Sequence, residues 1–253
     1  MAQLSTIVRF LDVLLPPKLL QDSSINGLQV DALKEEVKVV ALAVDSGQSV
    51  IEKAIAADAD LLIVHHGLLW GQCEPIAGRY GRKIAALLRG GCSLYASHLP
   101  LDAHTELGNN AELARFFGLK DLQPAFEYKG GMIGIKATCP QPLAGEFFIE
   151  KAKAMVGAIN PLYLPFGKEK IKSVGIVSGG AASHLTAAAE MGVDLFLSGE
   201  PKQEVYHLAR ELKINALFAG HYATETFGVR AVGRKLEKDF EIRTVFIDEA
   251  TGI

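Results

Sequence analysis

At 253 residues with 49% apolar side chains, the chain is long enough to bury a core of one large or two modest domains. Its 26 basic and 29 acidic residues leave a net charge of -3, which excludes a general electrostatic pull toward nucleic acid or an anionic membrane. Three widely spaced cysteines, Cys73, Cys92 and Cys139, form no CxxC pair; they read as buried thiols in a reducing compartment. The first twenty residues have no basic leader region, Arg9 and Asp12 interrupt their apolar run, and no uncharged apolar stretch reaches membrane-spanning length. A cytoplasmic protein is expected.

In chain order, the pattern predicts a helix over 5–15, then an apolar strand from residue 39 into the turn Asp45-Ser46-Gly47. An alanine-rich helix follows, and a second strand, Leu61–Val64, runs into His65-His66. The strand SLYA (93–96) runs into His98 and, past Pro100, Asp102; a helix is predicted over NNAELARFF (109–117). The second half adds a strand at GMIGIKATC (131–139) and a helix over 145–156. It then repeats strand, small-residue turn (Ser178-Gly179-Gly180), helix and strand, and ALFA (216–219) leads into His221 and Glu225.

That second half copies the first. Residues 39–67 align with 173–201 without gaps at an offset of 134, pairing Val40 with Val174, Ser49 with Ser183 and Asp60 with Asp194. Downstream, 92–102 aligns with 215–225 at an offset of 123, which places His98 on His221 and Asp102 on Glu225. The expected fold is α/β: two similar, intertwined α/β units from an internal duplication, about 1–127 and 128–253, with mostly parallel sheets and a metal site between them.

Each polar cluster lies where an apolar strand ends, the place where parallel α/β sheets gather their ligands. Taken alone, none decides its role. His65 and His66 are as compatible with a histidine core as with metal; adjacent strand residues face opposite ways, so the two would serve different ions. Asp102 after Pro100 would equally cap the next helix. His221 and Glu225, four apart, share a helix face either as ligands or as a surface pair. Together they supply three imidazoles and two carboxylates, a set that can hold two borderline ions; the absence of thiolates favours zinc, iron, manganese or cobalt over a cysteine-type structural zinc. The glycine turns fit no P-loop or GxGxxG pattern and read as tight turns. Glu200 falls on His66 in the repeat and would line the cleft. Trp70 and Tyr222 would either stack on a substrate ring or pack. His104, His184 and His207 read as helix caps or covers.

NGLQV (26–30), VHHG (64–67), HLPLDAH (98–104), LGNNAELA (107–114), SGG (178–180), SGE (198–200) and GHYATE (220–225) resemble the motifs of the Nif-three-like family across nearly the whole chain. Bacterial members of that family carry the name GTP cyclohydrolase 1 type 2 homologue. The resemblance implies a dinuclear site at His65, His66, Asp102, His221 and Glu225, with two divalent metal ions per chain, in a ring-shaped homohexamer whose sites face an interior cavity. It leaves His98 beside the ligands, to orient one of them or shuttle a proton.

The function expected from this set is metal-dependent hydrolysis of a small molecule, for which a phosphoester is a natural substrate of two ions; the family resemblance implies instead ring opening of a purine nucleotide such as GTP. The rival class is a non-enzymatic metal-binding ring that docks a protein, metal or nucleic-acid partner. Mild net acidity weighs against nucleic acid.

Overall fold

The computed structural model describes residues 2–72 and 74–253, so Cys73 and the expectation of a buried thiol there lie outside the described residues. The first half builds β1 (Ala2–Gln3), α1 (Leu4–Leu14), β2 (Gly27–Val30), β3 (Glu36–Val37), β4 (Val39–Asp45), α2 (Gln48–Ala56) and β5 (Leu61–His66). It continues with α3 (Gly78–Gly90), β6 (Ser93–Ala96), α4 (Leu99–Ala103) and α5 (Asn109–Phe116). Then come β7 (Lys120–Tyr128), β8 (Gly131–Ala144), α6 (Gly145–Lys153), β9 (Leu162–Pro165), β10 (Lys170–Ile176) and α7 (Leu185–Glu190). The chain ends with β11 (Leu195–Ser198), α8 (Val205–Leu212), β12 (Asn215–Phe218), α9 (His221–Phe240) and β13 (Arg243–Phe246). The fold is mixed α/β. No described helix is long and apolar enough to cross a membrane.

The chain forms two compact units, Met1–Leu101 with Val229–Glu249, and Asp102–Gly228 with Ala250–Ile253. These bounds differ from a cut at 127/128. The physical reason is which core each helix covers: α5 buries Leu113 and Ala114 in the second unit's core, while Val229, Val232 and Leu236 of α9 join the first unit's core.

In the first unit the sheet order is β13-β4-β5-β6-β2. The first four strands pair in parallel and β2 runs antiparallel at the edge. Alternate residues of β4 feed two cores. Val40 and Leu42 pack with α1 and α9, and Ala41 and Ala43 pack with α2 and α3. Cover on both faces is why β4 and β5 read as unbroken apolar runs. Cys92 is buried among the second of these clusters.

The second unit's sheet has the order β7-β8-β10-β11-β12-β9. Only β10·β11 and β11·β12 are parallel; β7·β8, β8·β10 and β12·β9 are antiparallel. The expectation of mostly parallel strands therefore fails here. The tight hairpin at Tyr128–Gly131 accounts for the β7·β8 pair: Lys129 (φ 48°) and Gly130 (φ 91°) both take positive φ, as a two-residue primed turn needs. Cys139, on β8, is half-buried rather than buried.

Strand register repeats between the units. Val40 pairs with Leu61 as Val174 pairs with Leu195, both at the 134 offset. At the third strand, Leu61 pairs with Ser93 and Leu195 with Asn215, an offset of 122 rather than 123. The amide of Ser97 bonds Val64 as that of Ala219 bonds Ser198, in the same frame. In this frame His98 corresponds to Gly220, not His221, so the matching of His98 with His221 and of Asp102 with Glu225 is a slip of one residue.

Two buried aspartates lock these ladders. Asp60 Oδ2 accepts the amides of Lys38 (2.7 Å) and Val39 (3.0 Å), and Oδ1 meets Lys34. Asp194 does the same with Lys172 (2.9 Å), Ser173 (3.2 Å) and Lys168 (2.7 Å). Burial opposes ionisation of both, but the lysine and the two amides outweigh it and hold each carboxyl below its ordinary range. Truncation strands two amides in each case, so Asp60→Ala and Asp194→Ala should each cost about 3 kcal/mol in urea unfolding at neutral pH. The loss should shrink as pH falls through the depressed carboxylate range, because the wild type then forfeits the same interaction.

Candidate metal centre

In the first unit, the buried run Leu61–Val64 carries His65 and His66 to the carboxyl end of β5. His65 is fully buried and its Nδ1 lies 3.0 Å from the Ser97 carbonyl. His66 places Nδ1 2.8 Å from Asp45 Oδ1, its neighbour on β4. His98, just past β6, sets Nδ1 at 2.9 and 3.1 Å from the two oxygens of Asp22, and its amide donates to Asn26 Oδ1 at 2.7 Å. An oxygen acceptor at each Nδ1 selects the Nδ1–H tautomer and leaves the lone pair on Nε2, the arrangement of a metal-ligating imidazole with an outer carboxylate or carbonyl.

The three rings converge. Each offers a nitrogen within 4.8 Å of those of the other two, and the centroids are 4.7 Å (His65–His66), 5.1 Å (His65–His98) and 5.6 Å (His66–His98) apart. Although adjacent on the strand end, the two rings of His65 and His66 take different partners, His65 the Ser97 carbonyl and His66 the Asp45 carboxylate, and only His65 is fully buried.

Trp70, 39% exposed, sets its ring 5.0 Å from that of His98 and donates Nε1–H to the Gly67 carbonyl at 2.8 Å. Gln29 secures the loop beneath it by accepting the amides of Leu68 (2.7 Å) and Leu69 (3.2 Å).

In the second unit, α9 opens on His221 and brings Glu225 one turn later onto the same face, with His221 Nε2 3.1 Å from Glu225 Oε2. His221 Nδ1 lies 2.6 Å from Glu200 Oε1, on the loop after β11. Burial alone would favour neutral His221, but Glu225 and then Glu200 outweigh it and push its pKa up to about 9. Gly179, with φ +65°, sits against this pair. A Cβ there would fall 2.1 Å from Glu225 Oε1 and 3.1 Å from His221 Nε2.

Asp102, buried, accepts at Oδ1 from Asn109 Nδ2 (2.9 Å) and Ser178 Oγ (3.2 Å). Asn110 takes the Ser178 amide at 2.7 Å and donates to the Ile133 carbonyl at 2.6 Å. The helix-capping role weighed for Asp102 is thus replaced by a side-chain network.

The structure therefore joins His65, His66 and His98 in one unit and His221 with Glu225 in the other, and places Asp102 among Asn109 and Ser178. Asp22, Asn26, Asn109 and Asn110 escaped the sequence reading as site residues, although three of them lie inside the NGLQV and LGNNAELA motifs. Asp22 carries no local signal. Glu200 holds His221, while Tyr222 is buried at 2% exposure and packs against Gly157, so it offers no ring to a ligand. His104 caps the turn after α4, its Nδ1 accepting the amides of Glu106 (3.1 Å) and Leu107 (3.0 Å).

The donor set fits divalent cations. It is imidazole and carboxylate, the imidazoles of His65 and His66 are pre-oriented, and Gly179 keeps space clear beside Glu225 and His221. Asp45 is the exposed member of one such support. Asp45→Ala should weaken metal binding about 10- to 100-fold without unfolding the protein, as read by competition with a chromogenic chelator.

Residues 2–252 match the profile of the family described as Duf34/NIF3 (NGG1p interacting factor 3). The chain is 45% identical over 251 residues, 99% of each chain, to a protein of Archaeoglobus fulgidus named GTP cyclohydrolase 1 type 2 homolog. It is 40% identical to one of the same name from Pyrococcus abyssi, over 98% of each. Among solved structures, TTHA1606 from Thermus thermophilus matches with a TM-score of 0.90 at 40% identity, covering 99% of this chain and 100% of that one. A full-length profile match and full-length relatives at this identity mean that the chain belongs to the Duf34/NIF3 family.

Proposed function

We propose that the protein is a dinuclear metal-dependent hydrolase whose two divalent ions are held by His65, His66, Asp102, His221 and Glu225. The observation that supports this reading is the shared build of the imidazoles: Ser97, Asp45 and Glu200 each meet the Nδ1 of one ligand histidine, which makes Nε2 the nitrogen through which each would bind metal. Five nitrogen and oxygen ligands exceed what one four-coordinate catalytic zinc takes. Bound ions would supply Lewis acidity and a water of lowered pKa. The chain's own part is to orient the imidazoles, to fix Asp102 through Asn109 and Ser178, and to keep His98 beside the ligands to move a proton.

The name shared by the curated relatives supports a purine nucleotide as substrate, and a two-metal centre suits a phosphoester equally. Turnover of GTP and of bis(4-nitrophenyl) phosphate by metal-loaded protein, abolished by chelation and restored by metal, tests this. Loaded protein that turns over neither substrate above its Glu225→Ala variant would refute the hydrolase reading.

We also infer that the chain arose by duplication, supported by the matched Lys34–Asp60 and Lys168–Asp194 locks and the shared 134 offset. The family resemblance further supports a homohexameric ring. Light scattering should then give about six times the 27.2 kDa chain mass.

A further inference from the structure

Asp22 is tied to more partners than a surface turn requires. Its side chain is only 2% exposed. Beyond His98 Nδ1, it accepts the Ser24 amide at 3.0 Å, Asn26 Nδ2 at 3.0 Å and the Leu99 amide at 3.1 Å. Asn26, held in this way, accepts the His98 amide. The turn before β2 thus grips His98 at both backbone and ring, and Trp70 packs edge-on against the same ring. Among the three converging histidines, His98 is the one held by a buried carboxylate. His65 has a carbonyl at Nδ1, and the Asp45 side chain that serves His66 is 38% exposed.

We infer that Asp22 is a positioning residue that holds His98 as the Nδ1–H tautomer, with the Nε2 lone pair presented beside His65 and His66 to take a proton from the attacking water. This rests on the hydrolase reading for its catalytic half. The proton passes from water oxygen to His98 Nε2 as the new bond to substrate forms, and returns from Nε2 to the leaving group as the old bond breaks. A buried carboxylate at Nδ1 fixes the ring in the accepting orientation and stabilises the imidazolium formed in between.

The test uses full-length, metal-loaded protein with isotope-labelled histidine, wild type and Asp22→Asn, with Asp22→Ala as a second variant. Solid-state nitrogen spectra report each ring's tautomer, and His98 is assigned by the signal lost in His98→Gln. The expected result is Nδ1–H for His98 in the wild type and a shift toward Nε2–H in Asp22→Asn, with metal content unchanged and unfolding still cooperative, at a lowered midpoint because an amide cannot accept from all the donors that Asp22 serves. With bis(4-nitrophenyl) phosphate, kcat should fall about 10²- to 10⁴-fold at unchanged KM. An unmoved His98 tautomer in folded Asp22→Asn and Asp22→Ala would overturn the inference, as would loss of metal in both. If the wild type turns over no substrate, the hydrolase reading fails by that readout alone, and the tautomer still decides whether Asp22 positions His98.

Discussion

Glu225→Ala is expected to bind at most one divalent ion per chain and to lose all metal-dependent turnover. Glu225 is 3% exposed, one turn into α9 and against His221. Two divalent ions bring about four positive charges and demand anionic partners, so removing a buried carboxylate removes both a ligand and its neutralising charge. Elemental analysis after dialysis against micromolar metal checks this. The same variant should alter the metal-free protein's response to pH. A proton held on His221 with a pKa near 9 stabilises the wild-type fold fully below the ordinary histidine value. That stabilisation fades as pH rises through about 9. Glu225→Ala, lacking the strongest partner of that proton, should show a flatter stability profile across this window. For the wild type, the proton competes with metal for the same nitrogen, so apparent affinity should climb with pH up to about 9.

Gly179→Ala is expected to do comparable damage by geometry. At φ +65° a non-glycine residue costs on the order of 1–2 kcal/mol, and its Cβ would overlap Glu225 Oε1 at 2.1 Å. Relief requires Glu225 to swing away from His221, which should weaken metal binding at least 10-fold. Gly192→Ala separates the two effects. It has nearly the same φ, +69°, with nothing within 4 Å of the added carbon, so it should show the strain alone and bind metal normally. Metal titrations and urea unfolding on both variants distinguish clash from strain. Equal metal affinity for Gly179→Ala and wild type would refute the claim that Glu225 and His221 need this space.

What was legible in the sequence is what short-range pattern encodes. Strands β4, β5, β10, β11 and β12 announce themselves as apolar runs because both faces are covered. His65-His66 and His221…Glu225 stand out because polar residues interrupt such runs where strands end. What was not legible depends on distance along the chain. Asp22 meets His98 across 76 residues, and Asn110 meets Ser178 across 68. The one-residue slip at the third strand of the repeat is invisible to pattern, since Cys92 and Ser93 both follow a glycine turn; only the pairing of Leu61 with Ser93 resolves it. The partition of helices between the two cores escaped for a similar reason. An amphipathic stripe such as that of α9 shows that a face is buried, but not against which sheet.

Whether the centre is dinuclear is decided by the metal content of the wild-type protein, purified without chelator, loaded with zinc, manganese, iron(II) or cobalt in turn, and desalted before elemental analysis. About two equivalents per chain are expected with at least one of these metals, falling in His65→Ala, His66→Ala, Asp102→Ala, His221→Ala and Glu225→Ala. One equivalent or none with every metal, or two equivalents that survive all five substitutions, would contradict a dinuclear centre at these residues.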